Sequence, residues 1–523
     1  MTSPLHDKGA FRQGRRFQRF KWLWMVVPLV VIAVFASEPW IVDHFRRGHF
    51  NYVSLHSLAI VRHSFLEFGG VGYTCALSSA DGDLKFTYFN RYPVPFAVIT
   101  RWLLRPWESD LPAYLYAARQ WMNVLFLATL AVLFALLRQI GASRGVAVFA
   151  VLGTALAPSA LFYKSMFHFD QPAVLAYALL VLVALRTFGT RSSSGWIYLV
   201  AVALAALTAR SAIVLTYAVA LAIVLSLRTW SSSKSLPERQ QLGLAWGGAF
   251  LAVGLVGAAT LYNLLWEAAI NNVSWQKTSV VFSAMRRLGL APQTFPERHL
   301  QRTLWTGDAL PKIFEYVAGY VSPVLTASLI LSIVMLVLIG IRRRTWSPWS
   351  GLLQVESEQR RLRLLAWQSI GLGSLIWVVL MKNLLVFHEY AAMMLLPLLT
   401  LVLMAFAELL SGLTWALLPA LVPAVLKIAL AIVVAAFIWQ VIAIPALRLQ
   451  PSQDRRMQLD QFFAELKEYR SKTSPSQPVR RDKDWLPRSP VAQCLMLDQP
   501  LWKGETSPPQ GLAEPPSLIL KPQ

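Results

Sequence analysis

Charged residues are scarce in this chain, and apolar residues are abundant. Of the 523 residues, 15% are charged and 56% are hydrophobic, whereas soluble globular proteins carry about 25% charged residues. This composition excludes a single soluble domain. The apolar residues form continuous runs, and a helix needs roughly 20 such residues to cross a bilayer. Short alternating segments typical of a transmembrane barrel do not occur, so the sequence predicts a helical membrane protein.

Acidic residues are also few. The chain has 27 Asp and Glu residues against 49 Lys and Arg residues, which gives a net charge of +22. In a protein that crosses the membrane many times, Lys and Arg collect in cytoplasmic loops and fix the topology. Placement of Lys and Arg in cytoplasmic loops accounts for the excess of basic residues, and we predict no nucleic-acid partner.

Cysteine is nearly missing, and several motifs of soluble enzymes are missing altogether. Cys75 and Cys494 are the two cysteines, and they have no zinc-ligand spacing. A disulfide between them is open if both lie outside the cytoplasm, but two unpaired thiols are the favoured interpretation. The sequence has no glycine-rich phosphate loop, no HExxH motif and no Ser-His-Asp spacing. These absences argue against a cytoplasmic nucleotide-sugar enzyme.

Apolar runs predict an all-α polytopic membrane protein with about eleven transmembrane helices. The predicted spans are 22–37, 120–137, 145–162, 172–185, two within 196–227, 243–264, 316–340, 364–381, 391–409 and 419–445. The run 196–227 would be about 48 Å long as one helix, which exceeds one span. We predict two short helices with Arg210 at their outer turn, because a charge inside the membrane is costly.

Hydrophilic segments assign the two sides of the membrane. Residues 1–21 form a predicted basic cytoplasmic N-terminus. Residues 22–445 form a predicted membrane domain with two long external loops, 38–119 and 265–315. Residues 446–523 form a predicted hydrophilic, Pro-rich tail. The first external loop is expected to carry short interfacial helices near Val53–Phe65 and Phe96–Leu104. An odd number of spans places the tail outside, whereas its basic residues favour the inside, so its side stays open. The tail is expected to hold a helix near Gln458–Tyr469, with the rest partly disordered.

Asp43 is the candidate catalytic residue. It follows the first predicted span, beside His44. A carboxylate at the mouth of a membrane cavity can act as a general base toward an acceptor hydroxyl that attacks a sugar carbon. Glu38 is the rival acid, and a solvated residue marking the end of a helix is the alternative interpretation.

An aromatic and Pro-rich segment, Tyr88–Phe96, follows later in the first loop. Aromatic rings such as that of Tyr92 can line a sugar pocket, and the planar fork of Arg91 suits a phosphate. The alternative is an aromatic belt at the membrane interface. Asp81-Gly82, just before this segment, indicates a turn.

Polar residues gather again at the turn between the third and fourth predicted spans. Lys164, His168 and Asp170 lie within seven residues of each other in the segment KSMFHFD. They are candidate substrate-binding residues on the same side of the membrane as Asp43. Helix capping and contact with water explain them equally well.

Two further external turns complete the candidate set. Arg210 suits the phosphate of a lipid carrier, since charge-assisted hydrogen bonds to phosphate are strong. His388, Glu389 and Tyr390 form a late polar turn, in which His388 could hold a leaving phosphate. Snorkelling anchors at the interface are the alternative.

In their order, these residues resemble the GT-C superfamily of integral-membrane glycosyltransferases, which includes protein mannosyltransferases and aminoarabinose transferases. The resemblance covers roughly residues 20–445 and rests on the following segments: Asp43 within Trp40–His44, Tyr88–Phe96 with Tyr92-Pro93-Val94-Pro95, Asp170, Arg210, and His388-Glu389-Tyr390 before Leu395-Leu396-Pro397. The chain departs from the family where many members have a paired Asp-Glu and a His-Pro-Pro core.

The resemblance implies a polyprenyl-phosphate-linked sugar donor, a lipid, glycan or protein acceptor, and an inverting transfer. It implies a multi-pass protein of a bacterial inner membrane, surrounded by membrane lipids, whose site faces the periplasm. Asp43 would be the base, Arg91 and Arg210 the phosphate contacts, and Asp170 and His388 would shape the site. Some members need a divalent metal and others do not. The sequence shows no convincing metal cage, so no cofactor is firmly predicted, and a divalent metal stays open.

Two other functions stay open at the level of sequence. A transporter or flippase of a lipid-linked saccharide would place polar residues within several spans near the midplane, and the spans here are clean. A non-catalytic membrane scaffold would tolerate Asp43→Asn without loss of activity.

Overall fold

The computed structural model describes residues 48–64, 69–78, 84–88, 94–155, 157–189, 195–209, 212–230, 236–281, 311, 313, 316, 357–381, 384–385, 389–417, 453–472, 479–480 and 501–502. The predicted spans 22–37 and 419–445, and nearly all of 316–340, lie outside the described residues. The total of eleven spans therefore stays a prediction.

The described part is mostly helical. Its helices and strands are α1 (Gly48–Arg62), β1 (Tyr73–Ser78), β2 (Leu84–Tyr88), α2 (Val94–Leu104), α3 (Leu111–Gln139), α4 (Arg144–Ala155), α5 (Pro158–Tyr163), α6 (Asp170–Gly189), α7 (Gly195–Ala209), α8 (Ala212–Trp230), α9 (Leu236–Ile270), α10 (Ser357–Leu380), α11 (Leu396–Leu417), α12 (Gln453–Lys472), β3 (Val479–Arg480) and β4 (Leu501–Trp502). A 3-10 helix, Glu389–Leu395, leads directly into α11.

Six of the described helices are long and apolar enough to cross a membrane. These segments are Leu111–Gln139, Asp170–Gly189, Ala212–Thr229, Arg239–Ile270, Gln359–Leu380 and Tyr390–Glu408. The protein is therefore an integral membrane protein, as predicted. The apolar run around Arg210 forms two helices, α7 and α8, which also agrees with the sequence analysis.

Local sequence explains where the central helix α3 begins and ends. The Asp110 carboxylate accepts a hydrogen bond from the Ala113 amide at 3.2 Å, which caps the first turn. At the other end, Gly141 adopts a φ of +82°, a left-handed conformation that suits glycine. Arg363 of α10 donates to the carbonyls of Ile140 and Gly141 and forms an ion pair with Glu408 of α11. This contact joins three helices on one side of the bundle.

The all-α prediction is wrong in one part, because the chain also builds a small mixed sheet. β1 and β2 pair antiparallel, β4 pairs parallel with β1, and the order is β2-β1-β4-β3. The first two strands are rich in Tyr, Thr and Phe, which favour strands, and they flank the predicted Asp-Gly turn. Pairing with β4 joins segments more than 400 positions apart, and no local pattern could indicate it.

The outer edge of this sheet is completed by a side chain. The Phe86 amide of β2 donates to Asn271 Oδ1 at 3.1 Å, and Asn271 Nδ2 donates to the Phe86 carbonyl at 2.9 Å. Asn271 follows α9, a helix of 35 residues that is about 52 Å long. Because this exceeds a hydrocarbon core of about 30 Å, the end of α9 reaches the first loop.

The interpretation of two unpaired thiols is also wrong. Cys75, in β1, is disulfide-bonded, and the only other cysteine in the sequence is Cys494. The reason is tertiary, since β4 lies beside β1 and brings the tail to the first loop. The first loop and the tail thus lie on one side of the membrane, which we call the loop side.

The tail helix α12 contains the predicted helix Gln458–Tyr469. Its Leu466 is buried, with Phe463 and Tyr469 packed against the same cluster of apolar side chains. Burial raises the pKa of the Tyr469 phenol above its usual value. On the exposed face, a hydrogen bond from Lys472 lowers the pKa of Glu468.

Candidate functional site

The turn between α5 and α6, residues 164–169, buries polar side chains on the loop side. Lys164 is 3% exposed and His168 is 6% exposed. α5 begins with Pro158. Proline suits this first position because a backbone N–H there would have no hydrogen-bond partner within the helix. Gln171, in the first turn of α6, donates from Nε2 to the carbonyls of Lys164 at 3.1 Å and Tyr163 at 3.4 Å. These bonds satisfy carbonyls left open at the end of α5 and fix the turn.

Lys164 is held by a neutral side chain from the neighbouring helix. Its Nζ donates to Asn123 Oδ1 at 3.3 Å, and Asn123 Nδ2 donates to Gln120 Oε1 at 3.2 Å. Asn123 is fully buried in α3. A buried ammonium is costly unless polar groups surround it, and this amide is one of the groups that orient the lysine.

His168 and Asp170 form a close pair with two alternative hydrogen bonds. His168 Nδ1 lies 3.1 Å from Asp170 Oδ2 and 3.2 Å from the Asp170 amide nitrogen. One ring nitrogen cannot donate to the carboxylate and accept from the amide at once. Nδ1 donates to the Asp170 carboxylate when it carries a hydrogen, and it accepts from the Asp170 amide when it does not.

An aromatic wall stands beside this pair. The ring centroids of His168 and Tyr390 are 5.1 Å apart in an edge-to-face arrangement, and those of Tyr163 and Tyr390 are 6.1 Å apart. Such geometry stabilises aromatic pairs beyond their buried area. It brings the late polar turn, predicted to belong to the site, into contact with the α5–α6 turn.

Sequence reasoning missed two buried cations, one in α1 and one in α3. Arg119 is 8% exposed and Arg62 is 5% exposed. Arg119 lies one turn before Asn123 on the same face of α3, and the Arg62 guanidinium lies 6.0 Å from the centre of the Tyr114 ring. The spacing of Arg119 and Asn123 at the start of an apolar run was the available signal.

Among the predicted site residues, the structure brings Lys164, His168, Asp170 and Tyr390 together. Glu389 is the first residue of the 3-10 helix that carries Tyr390. The other predicted site residues lie outside the described residues: Glu38, Asp43, His44, Arg91, Tyr92, Arg210 and His388. Within the described ranges, no three His, Cys, Asp or Glu side chains lie close enough together to hold a metal ion.

Comparison with solved structures finds a protein of similar fold. The chain is similar to ArnT from Cupriavidus metallidurans, solved with undecaprenyl phosphate bound. The match has a TM-score of 0.51 and 14% sequence identity, and it covers 93% of this chain and 86% of ArnT. No family model and no curated protein sequence matches the chain.

The match shows that this chain and ArnT share a fold. At this identity the shared fold says nothing by itself about the sugar or the acceptor.

Proposed function

We propose that the chain is a GT-C-type membrane glycosyltransferase, which moves a sugar from a polyprenyl-phosphate-linked donor to a lipid, glycan or protein acceptor. In this proposal the loop side is the extracytoplasmic face, and the membrane is a bacterial inner membrane. The observation that carries it is the combination of an ArnT-like fold over 93% of the chain with a buried basic turn on the loop side.

The charge at this turn supports a phosphate-bearing donor. Lys164, Arg119 and Arg62 are buried cationic side chains, and cationic side chains of this kind can pair with the phosphate of a donor. Hydrogen bonds between such cations and phosphate oxygens are among the strongest in proteins. ArnT was solved with undecaprenyl phosphate, a ligand that offers this group on a polyprenyl chain.

The proposed reaction is a single displacement. An acceptor hydroxyl attacks the anomeric carbon, the bond from that carbon to the phosphate oxygen breaks, and the electron pair leaves with the polyprenyl phosphate. Asp43 takes the hydroxyl proton as general base, and attack from the face opposite the phosphate inverts the configuration. Arg91 and Arg210 contact the phosphate together with Lys164, while Asp170 and His388 shape the site.

Binding is tested with undecaprenyl phosphate and the intact protein in detergent. Lys164→Ala should weaken the affinity by about tenfold or more, because a hydrogen bond to a charged group contributes about 1.5–3 kcal/mol. Lys277→Ala is the matched control, since Lys277 is an exposed lysine on the same side of the protein. Equal affinities of the two variants, measured by ligand-dependent thermal shift or native mass spectrometry, would contradict the role of Lys164.

Transfer is tested by mass spectrometry of lipids and glycans in a strain that lacks the protein. We expect one sugar to disappear from its acceptor while its lipid donor accumulates. Restoring the wild-type chain should return the sugar, and Asp43→Asn should not. Unchanged lipids and glycans in the deletion strain would exclude the proposed function, whereas full rescue by Asp43→Asn would exclude Asp43 as the base.

A further inference from the structure

The polar side chains of the α5–α6 turn are covered in this structure. Lys164 is 3% exposed and His168 is 6% exposed. A phosphate oxygen must come within about 3 Å of the Lys164 ammonium to accept its hydrogen bond, so a neighbouring segment has to move before a ligand reaches this lysine. Tyr390 lies against the turn, with its ring centroid 5.1 Å from that of His168. A movement of Tyr390 would therefore uncover part of the turn.

Tyr390 is carried by a helix of unusual geometry. Glu389–Leu395 is a 3-10 helix of seven residues that continues directly into α11, whereas 3-10 helices rarely exceed three or four residues. Its residues from Tyr390 to Leu395 are buried, and it packs against α5 and α6. A 3-10 segment that continues an α-helix often marks a functional hinge.

The residues of this segment favour the α-helix over the 3-10 helix. After Tyr390 the chain reads Ala-Ala-Met-Met-Leu, and all of these residues are strong α-helix formers. The 3-10 form therefore depends on what surrounds the segment, and its packing against α5 and α6 is one such contribution.

The second contribution comes from Pro397, the second residue of α11. In an α-helix that continued back through Met393, the residue at position 397 would donate its amide to the Met393 carbonyl. Proline has no amide to donate, and its ring would meet that carbonyl. Pro397 thus disfavours the α form of the segment before it, although it fits the first turn of α11 itself.

We propose that Glu389–Leu395 is a gate over the candidate site, closed as a 3-10 helix and open as an α-helix. A 3-10 helix rises about 2.0 Å per residue with three residues per turn, and an α-helix rises about 1.5 Å with 3.6. Tyr390 lies six residues before Leu396, so conversion draws it about 3 Å toward α11 and turns it by about 120°.

This movement separates Tyr390 from both aromatic rings that it touches at the turn. In the closed form these are His168 and Tyr163, and Tyr163 directly precedes Lys164. The open form leaves this side of the turn free for the phosphate of a lipid carrier. The part of the inference that concerns ligand entry rests on the proposed function. A site that is open only part of the time binds its ligand less tightly in proportion to that fraction, so Pro397 lowers the apparent affinity.

The first measurement asks whether the gate moves, and it needs no ligand. Lys164→Cys places a thiol at the covered turn, where an anionic methanethiosulfonate labels it in the intact protein in detergent, and protein without this substitution gives the background. We expect Pro397→Ala to speed labelling by about threefold or more, because the open fraction rises. Pro112→Ala is the matched control, since Pro112 is also the second residue of a helix but follows an extended Asp110. Equal labelling rates with the two alanine substitutions would overturn the gate.

The second measurement is the affinity for undecaprenyl phosphate of proteins that keep Lys164. Pro397→Ala should bind the lipid about threefold or more tightly than the wild type, and Pro112→Ala should bind it equally. A proline that only stabilises the fold would give the opposite sign, because its loss would weaken binding. Faster labelling without tighter binding would overturn the role of the gate in ligand entry.

A third variant assigns the effect to Tyr390. Tyr390→Ala removes the ring that covers His168, so labelling of Lys164→Cys should be fast whether residue 397 is proline or alanine, while thermal unfolding stays cooperative. An effect of Pro397→Ala that persists undiminished in this background would overturn Tyr390 as the gating residue. If neither the wild type nor any variant binds the lipid, the proposed function fails, and the labelling rates alone decide whether the gate moves.

Discussion

At the scale of single residues, the candidate site depends on how the Lys164 ammonium is oriented. Asn123 accepts a hydrogen bond from Lys164 and is itself fixed by Gln120. An amide adds no charge of its own, so this hydrogen bond does not itself reduce the attraction of the ammonium for an anionic ligand. A carboxylate at the same position would hold the lysine equally well and cancel that attraction.

Substitution of Asn123 tests this orientation. Asn123→Leu removes the acceptor and should weaken undecaprenyl phosphate binding by about threefold to tenfold, because a hydrogen bond contributes about 0.5–1.5 kcal/mol. Asn123→Asp should weaken it further, since the new carboxylate pairs with Lys164. Affinities are measured by titration in detergent, with the exposed amide variant Gln276→Leu as control. An Asn123→Asp protein that binds as tightly as the wild type would show that the charge of Lys164 is not used.

At the scale of elements, close helix packing relies on glycine at specific positions. In α9, a Cβ at Gly248 would lie 2.4 Å from a ring carbon of Tyr198 in α7. The neighbouring Gly247 would place its Cβ in open space. Gly248 therefore has no space for a side chain unless its neighbours shift, whereas Gly247 has space for one. The sequence shows only two adjacent glycines and does not distinguish them.

Alanine substitutions should separate these two glycines. Gly248→Ala forces Tyr198 or the helix to shift and should destabilise the protein by about 1–3 kcal/mol. Gly247→Ala meets nothing and should leave the stability equal or slightly higher, because alanine favours helix over glycine. Thermal unfolding in detergent measures both. Adding Tyr198→Leu to Gly248→Ala should recover part of the loss, and equal unfolding midpoints for the two alanine variants would contradict the packing.

At the scale of the whole molecule, the sheet ties the two ends of the described chain together. β1 belongs to the first loop and β4 to the tail, and their pairing requires both to lie on one side of the membrane. Arg363 contacts the α3–α4 turn and Glu408. This contact lies at the end of α3, whereas the first loop precedes the start of α3, so the length of the helix separates the Arg363 contact from the sheet.

Reporter fusions test this sidedness. Alkaline phosphatase, which is active only after export, should be active when fused after Gln523, and inactive when fused before α10 at Ser357. The result follows because the tail shares the side of the first loop, which we propose to be extracytoplasmic, while α10 begins at the opposite end of the bundle. Activity at the Ser357 fusion, or none at the Gln523 fusion, would contradict the topology.

The sequence was sufficient for whatever depends on local pattern. Apolar runs predicted the membrane helices, because a segment that crosses lipid must form all its backbone hydrogen bonds internally, as a helix does. The interruption at Arg210 was predicted because a charge inside the membrane is costly. Lys164, His168 and Asp170 were found because polar residues stand out in a turn between apolar helices.

What depends on distant segments was decided by tertiary structure alone. The contacts of Arg62 with Tyr114 and of Tyr390 with His168, and the Cys75 disulfide, each join parts of the chain that are remote in sequence. The pairing of β1 with β4 has the same character, since two-residue strands carry too little pattern to be recognised. A sequence specifies such contacts only through the packing of the entire bundle, in which the free energy of many weak interactions brings remote segments together.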